Sequence, residues 1–541
     1  MENKAVGRSF LILSISGILI KLLSAAYIPL LNKAIGTEGI GVYNASYNVF
    51  IFILAITSMG AQPAVMKVVA ELHALGYKED SLRAMKIARK YLTIIGVVVA
   101  TIYMLLVDPL SKAMGWEESA LSMKFLAPTI VLTCVLAAYR GYLQGIEEMK
   151  NLAISQVLEQ FVNVVLSLIF AFLLIDISIE WGSAGGTVGT TIGAIVAVIY
   201  IIYMHQKSEY NDNEEELELD GEEKPEFKKR LSDKKILKRL LMYGIPIVLV
   251  ASLQNAGGII DTIIVKNRLI SSGFTETEAT TMFGVLGYYN TLIYVPLAIV
   301  TALSAAIFPK IIQAFVNKSK KELRIQIRYS LRLTYLITIP SAVGLSILSK
   351  EIYAIIFGVD YGYELLTYGS IVLILMSVTT IQNTILQGIN KLYLVLGTAS
   401  LGVIIRIVID YILVGIKDIN LLGVMIASVF TFLIPLIINH KKLNKMFRIK
   451  IPIIKEAVMP TISALIMAIT IHLCRIPMNR VINIFQWGTV AILVKLLICI
   501  VVGGVIYLIA MVLLGGINKK DLDGISPRLY IMLPRFLRKQ M

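Results

Sequence analysis

Apolar runs long enough to cross a bilayer recur along almost the whole chain, and they leave few folds open to it. Taking ~20 residues as one crossing of a hydrocarbon core of about 30 Å, about fourteen such runs can be marked out. Their centres fall near Lys21, Phe52, Val99, Val131, Val165, Ala194, Leu253, Tyr294, Ile337, Leu375, Val403, Ser428, Met467 and Ile500. Backbone polar groups in lipid must be satisfied within the segment, so runs of this length predict helices. The composition agrees: 57% of 541 residues are hydrophobic and 16% are charged, with a mean hydropathy of +0.77. The expected fold is an all-α integral membrane protein of about fourteen spans.

The net charge of +15 points to topology rather than to nucleic acid. With the N-terminus placed in the cytoplasm, about 39 of the 51 Lys and Arg residues fall on the cytoplasmic side. The surplus also attracts anionic headgroups. Both termini are therefore expected inside. The opening resembles a signal peptide (Lys4, Arg8, an apolar stretch, then Ser24-Ala25-Ala26), but Lys21 interrupts that stretch and the apolar segment runs on past it. A retained first helix is the reading.

From residue 206 to 239 the chain is hydrophilic, acidic from Glu214 to Glu223 and basic from Lys228 to Lys235. Such blocks bury no core and read as a solvated cytoplasmic linker. It separates a six-helix bundle (1–205, spans one to six) from a second (240–440, spans seven to twelve). Gly41-Val42-Tyr43-Asn44 in span two is echoed by Gly287-Tyr288-Tyr289-Asn290 in span eight. Leu143-Gln144-Gly145-Ile146 is echoed, at nearly the same offset, by Leu386-Gln387-Gly388-Ile389. An even number of spans per repeat makes the bundles parallel and pseudo-symmetric, a plan that transporters use around a midplane site. Two extra C-terminal helices (441–517) stand outside the repeat, and 518–541 reads as a basic amphipathic tail on the membrane surface.

Ionisable and amide side chains within spans are costly and mark candidate function. Lys21 sits near the middle of span one, on a helical face with Ser14, Gly17 and Ser24; the plainer reading is an ammonium that snorkels to the headgroups. In span two Tyr43, Asn44, Tyr47 and Asn48 form a polar–aromatic patch suited to sugar hydroxyls, with Asn290 its counterpart in span eight. Tyrosines at such positions also serve as interfacial anchors. Span seven carries Gln254, Asn255 and Asp261, and span eleven Arg406 and Asp410 one turn apart. Asp261, Arg406 and Asp410 could form one charge cluster, either a fixed ion pair or a moving coupling element. Glu159 in span five is a proton-relay candidate whose plainer role is a hydrogen-bonded structural carboxyl. Lys495 reads as a snorkelling or helix-pairing residue.

No phosphate loop, metal-ligand spacing or catalytic triad can be assembled, so no catalytic residue, metal or cofactor is expected. Asp521-Leu522-Asp523 has the D-x-D form of a metal-dependent glycosyltransferase, but it lies outside any catalytic domain. Cys134, Cys474 and Cys499 are isolated and imply no disulfide.

Several motifs resemble the stage V sporulation protein B family. They are Lys21-Leu22-Leu23-Ser24, Tyr27-Ile28-Pro29-Leu30, Ile35-Gly36-Thr37-Glu38-Gly39-Ile40-Gly41-Val42-Tyr43, Gly60 with Pro63-Ala64 and Lys67, and Thr291-Leu292 with Val295-Pro296. That family belongs to the multidrug/oligosaccharidyl-lipid/polysaccharide flippase superfamily, with the MurJ-type lipid II flippases. The resemblance implies a flippase for undecaprenyl-diphosphate-linked oligosaccharide in cell-wall or spore-envelope synthesis, working as a monomer among membrane lipids. Cell-wall or spore-envelope synthesis proteins would be its protein partners. It implies a cationic cavity where Lys21 would hold the diphosphate, with Arg332, Arg140 and Lys67 as further cations. It also implies a tail groove at spans thirteen and fourteen. Na+ coupling in such proteins uses acids that Asp261 and Asp410 match, but Arg406 stands where an Asn is expected, which leaves H+ or the membrane potential as drivers. A cation-coupled multidrug exporter of the same superfamily is the alternative.

Overall fold

The computed structural model of the chain describes residues 2–218, 231–448, 451–485 and 488–517. Among these the backbone is helical nearly throughout and contains no strand. Thirteen helical stretches are long and apolar enough to cross a membrane. The chain is an all-helical, multi-pass membrane protein. The first stretch, Leu22–Ala74, has 53 residues and would run ~80 Å if straight, far more than one crossing. It is divided at Gly36, where φ 70 and ψ 175 define a backbone state essentially confined to glycine. The apolar runs centred on Lys21 and Phe52 thus lie on either side of a real break. A π-helical turn at Ala55–Met59 then separates α1 (Glu2–Leu54) from α2 (Ala61–Ala74).

The chain divides into two compact units, one ending at Gly287 and one beginning at Tyr288. The first contains α1, α2, α3 (Lys78–Met114), α4 (Ala120–Gly145), α5 (Met149–Leu174), α6 (Ile179–Glu218), α7 (Asp233–Ser271) and the start of α8 (Glu276–Val316). α2 turns Val65, Val68, Val69 and Leu72, spaced at helical intervals, toward Ala84 and Ala88 of α3, Ala138 of α4, and Ile236 and Leu240 of α7. Small alanines opposite branched side chains allow the close packing that holds helices together where lipid removes the hydrophobic drive. Leu105, Leu173 and Ile199 point away from these contacts and are more than 60% exposed, as lipid-facing residues should be. The helices that open the second sequence repeat, α7 and the start of α8, pack in this first unit.

The second unit runs through α9 (Lys320–Ile347), α10 (Ser349–Ile352), α11 (Glu364–Gly369), α12 (Ile371–Gly388), α13 (Leu392–Leu413), α14 (Leu422–Phe447), α15 (Ile453–Phe485) and α16 (Gly488–Leu513). The α15–α16 hairpin is fastened to α9 at one end and to α10 at the other. At one end Arg328 Nε donates to Glu456 Oε1 at 2.5 Å, and Arg332 Nη2 donates to the Gly516 carbonyl at 2.7 Å. At the other, the buried Glu351 carboxylate takes both Arg475 at 2.6 Å and Lys495 at 2.7 Å. Lys495 is therefore a helix-pairing residue rather than one reaching for headgroups. The amphipathic tail and the Asp521-Leu522-Asp523 motif lie outside the described residues, as does residue 219–230 of the linker.

Candidate functional site

Within the first unit, the part of α1 after Gly36 meets α7 and α8 at near-backbone distance. A Cβ built on Gly41 would sit 2.2 Å from the Thr280 carbonyl oxygen, and one on Gly284 would sit 2.1 Å from that of Thr37. No side chain fits there, so the two helices cross at this point because both offer glycine. One turn further along, the amide of Asn44 fills the space over Gly287, and a turn beyond that Asn48 Nδ2 donates to Thr262 Oγ1 at 3.2 Å beside Gly258. The asparagines of span two are thus packed into helix crossings with α7 and α8.

Beside them runs a row of aromatic rings. Tyr43 stacks on Tyr47 with centroids 5.3 Å apart, Tyr27 meets Tyr43 edge-on at 6.0 Å, and Tyr47 lies 5.8 Å from Phe50. The Tyr27 hydroxyl donates to the Gly186 carbonyl on α6 at 2.5 Å. Rings with polar edges of this kind can stack on sugar faces or shape a cavity wall, although Tyr27 and Tyr43 are buried.

α7 is held against the first-repeat helices at both of its ends. At the linker end, Ile236 and Leu240 enter the α2–α3–α4 cluster. There the Tyr243 hydroxyl donates to Glu71 Oε1 at 3.0 Å, and the Lys67 ammonium stands 3.9 Å from the Tyr243 ring centroid. Arg83 of α3 pairs with Asp80 and Asp233 and donates to the Leu231 carbonyl, while the Leu231 N–H donates to Asp80. At the opposite end, Lys266 is wholly buried, 3.0 Å from Glu276 and 3.4 Å from Glu118. Its ammonium lies 4.5 Å from the Trp116 ring centroid. The Trp116 indole N–H donates to the Thr262 carbonyl at 2.8 Å, and its ring packs on Phe283 at 4.9 Å. Sequence reasoning missed this latch: Lys266 lies near the end of its span, where a lysine is ordinary, and its partners come from two other segments.

The remaining sequence candidates are distributed as follows. The side chain of Lys21 lies outside the described residues, although its backbone is helical. Ser24 donates to the Ile20 carbonyl of its own helix. Gln254 is exposed, Asn255 donates to the Ala251 carbonyl, and Asp261 is buried in the first unit. Glu159 is paired with Arg140 at 2.7 Å, and Arg140 Nε also donates to Ser155 Oγ. In the second unit Asn290 is half-buried, and Arg332 donates to the end of the α16 segment. Arg406 lies 3.5 Å from Asp410 and donates to Ser428 Oγ at 3.0 Å, so the buried carboxylate has its own cation on the same helix. Among the described residues no three His, Cys, Asp or Glu side chains converge as metal ligands would.

The sequence family described as polysaccharide biosynthesis protein matches residues 6–315, more than half of the chain. The chain belongs to this family. The chain is similar to the lipid II flippase MurJ of Bacillus subtilis (strain 168), at 24% identity over 540 residues, covering 96% of this chain and 97% of that protein. It is also similar to stage V sporulation protein B of the same organism, at 21% identity, covering 84% of this chain and 86% of that protein. Among solved structures it resembles a lipid II flippase MurJ in an inward closed conformation. The TM-score is 0.68 at 16% identity, with 93% of this chain and 98% of that one covered. At that identity the likeness shows a shared fold.

Proposed function

We propose that this membrane protein is a flippase that turns an undecaprenyl-diphosphate-linked oligosaccharide, lipid II first among them, from the inner to the outer leaflet by alternating access. It is not an enzyme on this reading, and it acts as a monomer in the bacterial plasma membrane with both termini in the cytoplasm. The observation that carries the proposal is the closure of α7 on first-repeat helices at both of its ends, joined at one by the start of α8, with the Tyr27–Tyr43–Tyr47 row and Asn48 between. A carrier that exposes a polar headgroup to one side at a time needs two closures that release in turn. The lipid tail can stay in the bilayer throughout, so only the sugars and diphosphate require shelter.

Lys21 is the proposed diphosphate anchor, with Ser24, Asn44, Asn48, Gln254, Asn255, Asn290 and Arg332 as the surrounding polar candidates. A fixed cation inside the membrane is costly unless an anion or water meets it. Arg406 supplies at Asp410 the positive charge that a sodium ion would bring. This favours the membrane potential or a proton as the driver over Na+. The test is reconstitution into vesicles with labelled lipid II, reading the label that reaches the opposite leaflet. The wild-type protein should transfer label and Lys21→Ala should not, while both insert and unfold alike; transfer by the variant at the wild-type rate would refute the anchor. A multidrug exporter would instead confer resistance to organic cations and move no lipid II.

A further inference from the structure

We infer that the joint between α14 and α15 is a binding site for one anionic phospholipid. A cavity of about 370 Å³ opens there, walled by Leu436 and Ile437 of α14 and by Ile453 at the start of α15. His440, Lys441 and Lys455 complete its lining. The volume is of the size that holds a ligand chain or headgroup. The two lysines are exposed, and Ile437 on the apolar wall is 42% exposed, so the site is open to its surroundings.

Position and charge decide the occupant. α14 ends at Phe447 and α15 begins at Ile453, so the cavity lies where two spans meet the membrane surface. Apolar walls on the span side suit an acyl chain, and lysines on the surface side suit a phosphate. Basic pockets between spans at a membrane surface have this affinity for anionic headgroups. Lys442, Lys445 and Arg448 follow on the same helix end and deepen the positive field.

His440 adds an independent observation. The Ile451 N–H donates to Asn444 Oδ1 at 2.9 Å, which fixes the amide so that its NH2 faces the imidazole. Asn444 Nδ2 lies 2.9 Å from His440 Nε2, so Nε2 accepts and the ring proton of the neutral imidazole is on Nδ1. That nitrogen is buried and has no hydrogen-bond acceptor in the protein. A buried N–H with no acceptor is costly, and a lipid oxygen reaches it only if the imidazole shifts as the cavity that His440 lines is filled.

The inference rests on membrane placement and is independent of the flippase reading. The experiment uses the full chain, stripped of lipid in detergent and titrated with phosphatidylglycerol, phosphatidylcholine or undecaprenyl phosphate, with bound lipid counted by native mass spectrometry. One phosphatidylglycerol per chain should be retained, and phosphatidylcholine should not. Lys441→Gln with Lys455→Gln removes two exposed charges, each contributing a few-fold to surface binding, so retention should fall about tenfold or more with unchanged unfolding temperature. Ile437→Trp, which fills the cavity and keeps both lysines, should also lose the lipid, separating a built site from diffuse charge. Unchanged retention in either variant would overturn the inference. Equal retention of phosphatidylcholine would overturn the requirement for an anion, and displacement of phosphatidylglycerol by an equal amount of undecaprenyl phosphate would reassign the site to prenyl lipids.

Discussion

The ammonium of Lys266 lies 3.0 Å from the carboxylate of Glu276, and its side chain has no solvent exposure at all. Glu276 is 66% exposed, so the pair joins a fully desolvated cation to a carboxylate at the surface. Removing the cation frees carboxylates that can return to water, and the loss is accordingly milder than for a pair buried on both sides. Lys266→Met should destabilise the protein by about 1–3 kcal/mol, seen as a lower unfolding temperature in detergent. It should also expose the buried position 262: in a Thr262→Cys background, labelling by an impermeant thiol reagent should rise with the Lys266 change. Unaltered labelling would show that Lys266 does not hold this end closed.

Gly41 and Gly284 allow no added atom without moving a helix. Gly41→Ala places a methyl against the Thr280 carbonyl, and overpacking of this sort costs about 1–3 kcal/mol. Transport should suffer more than stability, since the crossing must re-form in each cycle. Gly244→Ala is the control, because its Cβ would meet only Ala64 at an ordinary 3.6 Å. Flipping rates of the two variants, compared at matched protein levels, check this.

Glu351 gives the second unit an acid-sensitive contact. Burial alone would raise its pKa, but the hydrogen bond from Lys495 and the charges of Arg475 and Lys495 prevail and hold it below the ordinary carboxylate range. A depressed carboxylate contributes stability that is complete above its unfolded pKa of ~4.3 and is lost as pH falls through the lower folded value. Wild-type stability should therefore decline at acid pH, and Glu351→Gln should flatten that part of the profile. Glu351→Ala leaves two cations without their partner and should cost about 3–5 kcal/mol at neutral pH. Thermal unfolding followed against pH separates the three proteins.

Glu159 is held by Arg140 at 2.7 Å, which supports a structural carboxylate over a proton relay. Glu159→Gln should keep lipid II flipping and its pH dependence. A pH profile that loses its slope in this variant would restore the relay.

Much of the architecture could be read from the chain because membrane insertion leaves a direct trace in composition. Apolar run length gave the helices, whereas the break at Gly36 between the first two shows only in its backbone angles. The Gly41 and Gly287 echo proved to mark packing positions: Gly41 admits the α8 backbone and Gly287 admits Asn44. Partner choice was harder to read. Nothing local distinguishes Lys495, which joins Glu351, from a lysine that reaches for headgroups. Arg140 and Glu159 meet from two helices, and Arg332 ends on the Gly516 carbonyl, far along the chain. Such pairs depend on which faces of separate helices turn toward each other, and single-sequence periodicity gives each face without its neighbour. Trp116 and Lys266 escaped notice for the same reason, since each alone is an unremarkable residue near a span end.

The α15–α16 hairpin is strapped by charge at both extremities, to α9 through Glu456 with Arg328 and to α10 through Glu351 with Arg475 and Lys495. A shortened chain lacking this hairpin would not be a simpler version of the same protein. It would leave Glu351 a buried anion without its two cations and Arg328 without its carboxylate, so the last two crossings are a structural debt that α9 and α10 already carry.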